Sequence, residues 1–251
     1  MDRRVFNKHL RIEEVPDWRC PVCKSGNLTL DPKAFQFDHT AESRRDQSIP
    51  DAGYDWVRYQ FVCFLTCSRA TCGERISCLG WGEVEQVQFF NERDQEMDVA
   101  YVDQFFPTYF DPPLVLMDVP KECPEDVAGH LRTSFSMYFC NPGASLNSAR
   151  MAVEALMDHL KVVDTWPDGK RMDLHFRIKR IPKEHVNVMD HLLAVKYLGN
   201  AGSHHGDKPK REDVNDVYDV LEYALNKIFD QSEGRLKLLV ERINKDKGLP
   251  K

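Results

Sequence analysis

Two short cysteine turns constrain this sequence more than any other feature. They are Cys20-Pro-Val-Cys23, followed by Gly26, and Cys67-Ser-Arg-Ala-Thr-Cys72, followed by Gly73. Six of the eight cysteines fall between Cys20 and Cys78. In a reducing compartment such a density argues for metal rather than for disulfides. Two facing turns of this kind present four soft sulfur donors at the corners of a tetrahedron, the arrangement zinc prefers. Cys20, Cys23, Cys67 and Cys72 are therefore expected to hold one structural Zn2+, which closes its own coordination shell and folds the domain instead of catalysing. The intervening residues 24–66 are long for a compact ribbon, and a polar loop over 39–53 is expected to absorb the excess. Two alternatives stand beside this reading. Cys63 can replace Cys72 as the partner of Cys67, although Cys63 lies in the strand-like run YQFVCFL with no turn beside it. The cysteines can also be buried without metal. Cys78 reads as a strand residue, and Cys123 and Cys140 as a loop thiol and a small core residue.

The rest of the chain divides by its periodicity. Between Tyr54 and Val87 the aromatic and β-branched residues read as strand, turn and strand. The segment FFPTYFDPPLVLMDVPKECPED carries five prolines, which suits neither a continuous helix nor a central strand and is expected to be an extended connector. From Pro124 the period becomes 3.6. Pro124 suits a first helical position, with Glu125 and Asp126 in the first turn. Val127, Leu131 and Phe135 mark one apolar face, and Leu146, Ala149, Val153, Leu156 and Leu160 mark a second. A short helix over Leu174–Ile181, one over about Val188–Leu198 and two more carrying Val214–Ile228 and Leu236–Ile243 follow. The expected fold class is α+β: an N-terminal β zinc ribbon with hairpins over 1–100, a proline-rich connector over 101–123, and an all-α helical bundle over 124–251.

The formal net charge of −6 opposes general, charge-driven coating of DNA or RNA. One local stretch is basic, with Lys170, Arg171, Arg177, Lys179 and Arg180 as candidate nucleic-acid contacts; the plain alternative is a solvated helix face. Trp18, Trp56 and Trp81 can stack on bases or can form the small core a ribbon needs. No apolar run spans a bilayer and the charged first residues lack the apolar core of a secretory signal, so a cytoplasmic location without a membrane partner is expected. The chain contains no phosphate-binding glycine motif, nucleophile elbow or zinc-protease motif.

The segment LGNAGSHHG at 198–206 places two histidines after the end of an amphipathic helix. Gly199 and Asn200 suit a helix end, and His204 then either caps and packs or acts chemically. Taken together, several short motifs resemble a known family: the ribbon cysteines; Pro107, Phe110, Pro112 and Pro113; Arg150 and Glu154; Arg177 and Ile178; and Gly199, Asn200 and His204. From Cys20 to about Phe229 the chain resembles a bacterial family of zinc-ribbon-bearing helical domains of unknown function. That family is also found fused to restriction-enzyme subunits and is grouped with the HEPN superfamily. The resemblance implies a four- or five-helix bundle, a homodimer formed through the helical domain, and metal-independent ribonuclease chemistry from an Arg-x(4–6)-His motif. In such chemistry a histidine moves a proton and an arginine stabilises charge on the phosphate. This chain departs from the motif: Lys196 precedes His204 with seven residues between, and Tyr197 with six. Lys196 is a point charge without the planar fork of arginine. Arg150, one helical turn from Glu154, can supply that fork, or the two can be a simple i,i+4 surface pair. The implied catalytic set is thus His204, Asn200, Lys196, Arg150 and Glu154. The implied function is nucleic-acid-directed, with RNA the expected partner, as a ribonuclease in anti-phage defence or a toxin system. The alternative is a non-catalytic nucleic-acid- or protein-binding adaptor.

Overall fold

Tyr59, Phe61, Cys63, Leu65 and Cys67 are buried and alternate with more exposed residues, as a strand with one face on a core requires. In the computed structural model, which describes residues 2–91, 95–201, 208–229 and 232–246, this run is the second of four strands. β1 (Leu28–His39), β2 (Arg58–Cys67), β3 (Arg75–Asn91) and β4 (Glu96–Asp111) form an antiparallel sheet in that spatial order. The chain divides into two compact units, Met1–Leu116 with Phe135–Ser145, and Met117–Ser134 with Leu146–Lys251.

The first unit is organised around Phe105 of β4. Its ring centroid lies 4.7 Å from that of Phe35, 5.2 Å from Phe37 and 5.4 Å from Phe61. Edge-to-face and tilted contacts of this kind are the favoured aromatic geometry. Gly82 of β3 leaves room for this ring, since a Cβ there would sit 2.7 Å from Phe105 Cδ1. Residues Phe135, Tyr138 and Phe139 complete the core, with Phe139 4.8 Å from Phe110 and Tyr138 6.3 Å from Phe6.

Two expectations for this unit change. The proline-rich run does not begin as a connector: residues up to Asp111 are the edge strand β4. Pro107 lies opposite Gly80, at a register shift, and an edge strand at a bulge tolerates the missing N–H. The lead-in covers part of that edge, because Leu10 and Phe105 exchange N–H···O bonds of 2.7 and 2.9 Å. The polar run over 39–53 also contains a helix, α1 (Ala41–Asp46), whose first turn is capped by Thr40 Oγ1 accepting from Ser43 N–H at 3.1 Å.

The helices that follow are α2 (Glu125–Met137), α3 (Pro142–His159), α4 (Leu174–Ile178), α5 (Met189–Ala201), α6 (Arg211–Phe229) and α7 (Ser232–Asp246). Asn141 Oδ1 accepts from Ala144 N–H at 3.0 Å and caps α3, with Pro142 at its first position. The second unit, holding α2 up to Ser134 and α3 from Leu146, buries Val127, Leu131, Val153, Leu156, Leu192, Val195, Val217 and Leu221. Within that core Ser134 Oγ and the Tyr218 hydroxyl are hydrogen-bonded at 2.8 Å. No helix among the described residues is long and apolar enough to cross a membrane.

The end of α5 differs from expectation. Gly199 and Asn200 do not stop the helix; they lie inside it. Glycine is unfavourable in a helix interior by roughly 1 kcal/mol, and packing explains why it is used here. A Cβ at 199 would lie 2.5 Å from Arg150 Cβ and 3.1 Å from the Leu146 carbonyl, so only glycine lets α5 approach α3 this closely. Gly129 of α2 is the contrast, because a Cβ there meets only the Arg132 guanidinium at an ordinary 3.7 Å. Gly199→Ala is therefore expected to destabilise the protein by about 1–3 kcal/mol through overpacking. Gly129→Ala should stabilise it by about 1 kcal/mol through helix propensity. Denaturant midpoints of the two variants check the opposite signs.

Candidate functional site

Four sulfurs converge in the first unit. Cys20, Cys23, Cys67 and Cys72 have all their Sγ atoms within 4.8 Å of one another. Cys20 Sγ lies 3.9 Å from Cys72 Sγ, and Cys23 Sγ lies 3.6 Å from Cys67 Sγ. A tetrahedral ion with metal–sulfur bonds of about 2.3 Å has sulfur–sulfur edges of about 3.8 Å, so these spacings are those of a ligand shell. Local backbone bonding builds both turns. Cys20 N–H donates to the Gly26 carbonyl at 2.8 Å, and Cys67 N–H to the Glu74 carbonyl at 2.8 Å. The turns are tied together where Ser68 N–H donates to the Asn27 carbonyl and Asn27 N–H to Ser68 Oγ, at 2.8 and 3.0 Å.

The glycine after each turn has a distinct reason. Gly73 adopts a φ of 59°, a region that favours glycine. Gly26 is needed for space, since a Cβ there would sit 2.5 Å from Cys67 Sγ. Backbone N–H groups also point at sulfur, from Gly26 to Cys23 Sγ and from Arg69 to Cys67 Sγ, both at 3.4 Å. Amide donors at Ser25 and Gly26 lower the Cys23 pKa to about 6, while burial pushes Cys67 up to about 12. Without a cation the protein favours one thiolate here; four thiolates at these distances require a metal ion between them. The cluster can hold one metal ion. Cys63 takes no part in it, and faces Cys78 across β2 and β3 in the buried layer of the sheet. Burial holds the Cys78 thiol well above its ordinary pKa.

The second unit contains a polar cavity of about 660 Å³. α3 contributes Arg150 and Glu154 to its lining, α5 contributes Lys196 and Asn200, and the α4 segment contributes Arg171, His175 and Arg177. The Arg150 guanidinium is oriented from two sides. It donates to Glu154 Oε1 at 2.6 Å and to Asn147 Oδ1 at 3.2 and 3.3 Å. Arg177 is 5 % exposed and is held by Asp158 at 2.5 Å and by the Val162 carbonyl at 3.1 Å. By contrast, Arg171 and Lys196 form no ion pair among the described residues, and the Asn200 amide has no hydrogen-bond partner among them. Among the described residues the lining therefore offers two cations without an ion pair, an oriented guanidinium, an amide without a partner and an imidazole, with Asp173 as a carboxylate outside the Arg150–Glu154 pair. Such a lining suits an anion.

Over residues 8–110 the chain is similar to a domain of unknown function (DUF8608), and over residues 132–246 to a second domain of unknown function (DUF4145). No curated protein and no solved structure matches the chain. The first match contains all four clustered cysteines, and the second contains every residue named around the cavity.

The structure brings Arg150, Glu154, Lys196 and Asn200 together at this cavity, whereas His204 lies outside the described residues. The basic stretch at 170–180 does not form a single exposed face. Arg177 is buried and ion-paired, which removes it from the set of exposed nucleic-acid contacts. Lys170 pairs with Asp168 at 3.2 Å, and Arg180 lies over the Trp166 ring at 4.6 Å. Arg171 lines the cavity and Lys179 is exposed. Of the ribbon tryptophans, Trp18 is fully buried, while Trp56 and Trp81 are partly exposed, Trp81 stacked on Phe106 at 4.4 Å. His175 has no role in the sequence analysis, because its place in one lining with Lys196 and Arg150 is set by the tertiary fold and has no signature in local spacing.

Metal analysis of purified protein should find about one ion per chain, as a closed four-sulfur shell requires. Cys20→Ser and Cys67→Ser are expected to lose that ion and with it cooperative unfolding of the first unit. Cys63→Ser and Cys78→Ser should keep it, because neither belongs to the cluster.

Proposed function

We propose that the protein is a zinc-binding, HEPN-like protein that acts on RNA, as a metal-independent ribonuclease of a defence or toxin system. The observation that carries this reading is the single cavity that Arg150, Lys196, Asn200 and Arg171 line. Their chemistry is that of phosphate recognition: a guanidinium fork, an ammonium point charge and an amide donor. Zinc is the ion the cysteine cluster suits best, since four thiolates with tetrahedral spacing select soft or borderline cations and zinc adds no redox chemistry. Its role is structural, with no open coordination position.

In this reading Arg150 and Lys196 stabilise charge that builds on the phosphate, Asn200 orients it, and His204 transfers a proton. Glu154 keeps Arg150 aimed. A homodimer through the helical domain belongs to the same reading, and α7 exposes Leu236, Leu239, Val240 and Ile243 at helical spacing. One observation favours a second reading, a non-catalytic nucleic-acid- or protein-binding adaptor. The Arg150 guanidinium is already engaged by Glu154 and Asn147, as in a structural ion pair.

Labelled single-stranded RNA incubated with the protein and excess EDTA separates the two. The ribonuclease reading expects cleavage, reduced about 10²-fold or more by His204→Ala and similarly by Arg150→Ala, in variants that keep their metal and thermal midpoint. Binding without turnover, weakened by salt, supports the adaptor. Equal cleavage by wild type and His204→Ala sinks the His204 mechanism.

A further inference from the structure

Aromatic rings and cations touch in sequence along one strip of the second unit. The Arg180 guanidinium lies 4.6 Å over the Trp166 ring. Trp166 meets Phe176 at 5.3 Å between centroids, and Phe176 meets His175 at 5.3 Å. His175 meets Tyr197 at 6.2 Å, and the Lys196 ammonium lies 4.7 Å over the Tyr197 ring. These six side chains therefore form one unbroken row with a cation at either end. We infer that the row is a binding surface for single-stranded RNA, whose bases stack on its exposed rings. The inference rests on the RNA-directed reading above and not on its catalytic step.

Local structure holds each part of the row in place. Trp166 opens a tight turn through Pro167 and Asp168. Gly169 N–H donates to the Trp166 carbonyl at 2.9 Å, and Trp166 N–H to the Lys170 carbonyl at 2.8 Å. α4 supplies His175 and Phe176 at consecutive positions, and α5 supplies Lys196 and Tyr197. The Tyr197 hydroxyl lies 3.4 Å from His175 Nδ1, which ties α5 to α4 at this point. Packing accounts for Trp166 and His175, which are half-buried. It does not account for Phe176 and Tyr197, which stay 40 % and 54 % exposed although both lie within the row. A single exposed ring is ordinary; contiguous exposed apolar surface rimmed by charge marks an interaction site.

Charge selects the occupant. From Lys161 to Glu184 the sequence carries seven Lys or Arg against four Asp or Glu, in a chain whose net charge is −6. Of those carboxylates, Asp168 is paired with Lys170, and Asp173 lines the cavity with Arg171. The basic residues make no continuous face by themselves; their pattern is cation, rings, cation. Single-stranded RNA repeats the complement, a negative phosphate and a flat base at every nucleotide. A duplex stacks its bases on one another and offers a row of rings only phosphates and sugars. His175 and Lys196 belong both to the row and to the lining of the polar cavity, so a strand lying on the rings reaches that cavity.

The test is equilibrium binding of the full-length protein to two labelled single strands of equal length. One is a 2′-O-methylated oligoadenylate, which lacks the hydroxyl needed for self-cleavage; the other carries the same phosphates without bases. Wild type should bind the base-bearing strand more tightly, by roughly 5- to 150-fold for each stacked base. Phe176→Leu and Tyr197→Leu, each shown to keep its metal content and thermal midpoint, should lose that advantage and bind the abasic strand as wild type does. Tyr197→Phe retains the ring and should retain the advantage. Arg180→Gln and Lys196→Gln should weaken both strands alike and lower the salt slope by about one each. Equal wild-type affinity for the two strands overturns the stacking role and leaves the RNA-directed reading intact. Leucine variants that bind the base-bearing strand as wild type does have the same consequence. A wild-type protein that binds neither strand removes that reading and this inference together.

Discussion

The convergence of four cysteine sulfurs within 4.8 Å governs the first unit. Without a cation that arrangement is self-limiting, because burial holds Cys67 protonated while amide donors ionise Cys23. A metal ion inverts that preference by deprotonating all four thiols, and ligand binding then becomes folding free energy. The consequence extends beyond the turns themselves. The segment from Trp18 to Asn27 contributes no strand of its own beyond an isolated bridge, yet it supplies Trp18, one of the largest fully buried side chains. The cysteine cluster and the Asn27–Ser68 bonds clamp that segment to the end of β2, so an ion held by the four sulfurs would support the aromatic core.

The second unit depends on a steric constraint instead. Close approach of α5 to α3 at Gly199 sets the distance from Lys196 and Asn200 to Arg150. A larger residue at 199 would push against the Arg150 stem and the Leu146 carbonyl and so separate the two walls of the cavity. The same glycine explains why the helix accepts an unfavourable residue in its interior. Arg177, itself buried, anchors the α4 wall that carries His175 through the more exposed Asp158 and the Val162 carbonyl. Removing one member of such a pair leaves an uncompensated group, so Arg177 acts on the cavity by holding that wall in place.

Local chemistry made much of this architecture legible. Cysteine turns with a following glycine, a strand with strict alternation in β2, and apolar residues at 3.6 spacing in α3 and α6 all report their structure through nearest neighbours in the chain. Where reading failed, a nonlocal partner had overridden the local preference. Pro107 looked like a connector because proline weakens strands; its place on an edge, opposite Gly80, makes the missing N–H harmless. Gly199 and Asn200 looked like a helix stop because both accept left-handed backbone; the packing of α3 against α5 requires the glycine inside the helix. Arg177 looked like part of a basic face because its neighbours are basic, while its side chain packs inward and bonds to Asp158, nineteen positions earlier, and to the Val162 carbonyl.

Residue types and short spacings were sufficient for the four cysteines that cluster, the α+β division and the positions of most helices, since each rests largely on interactions spanning a few residues. Assembly of the cavity was of another kind. Arg150, His175, Lys196 and Asn200 come from three helices, and no periodicity relates α3 to α4 or α5. Which cations remain uncompensated there depends on which carboxylates fold beside them. That balance is settled by tertiary packing, because charge pairing acts through space and not along the chain.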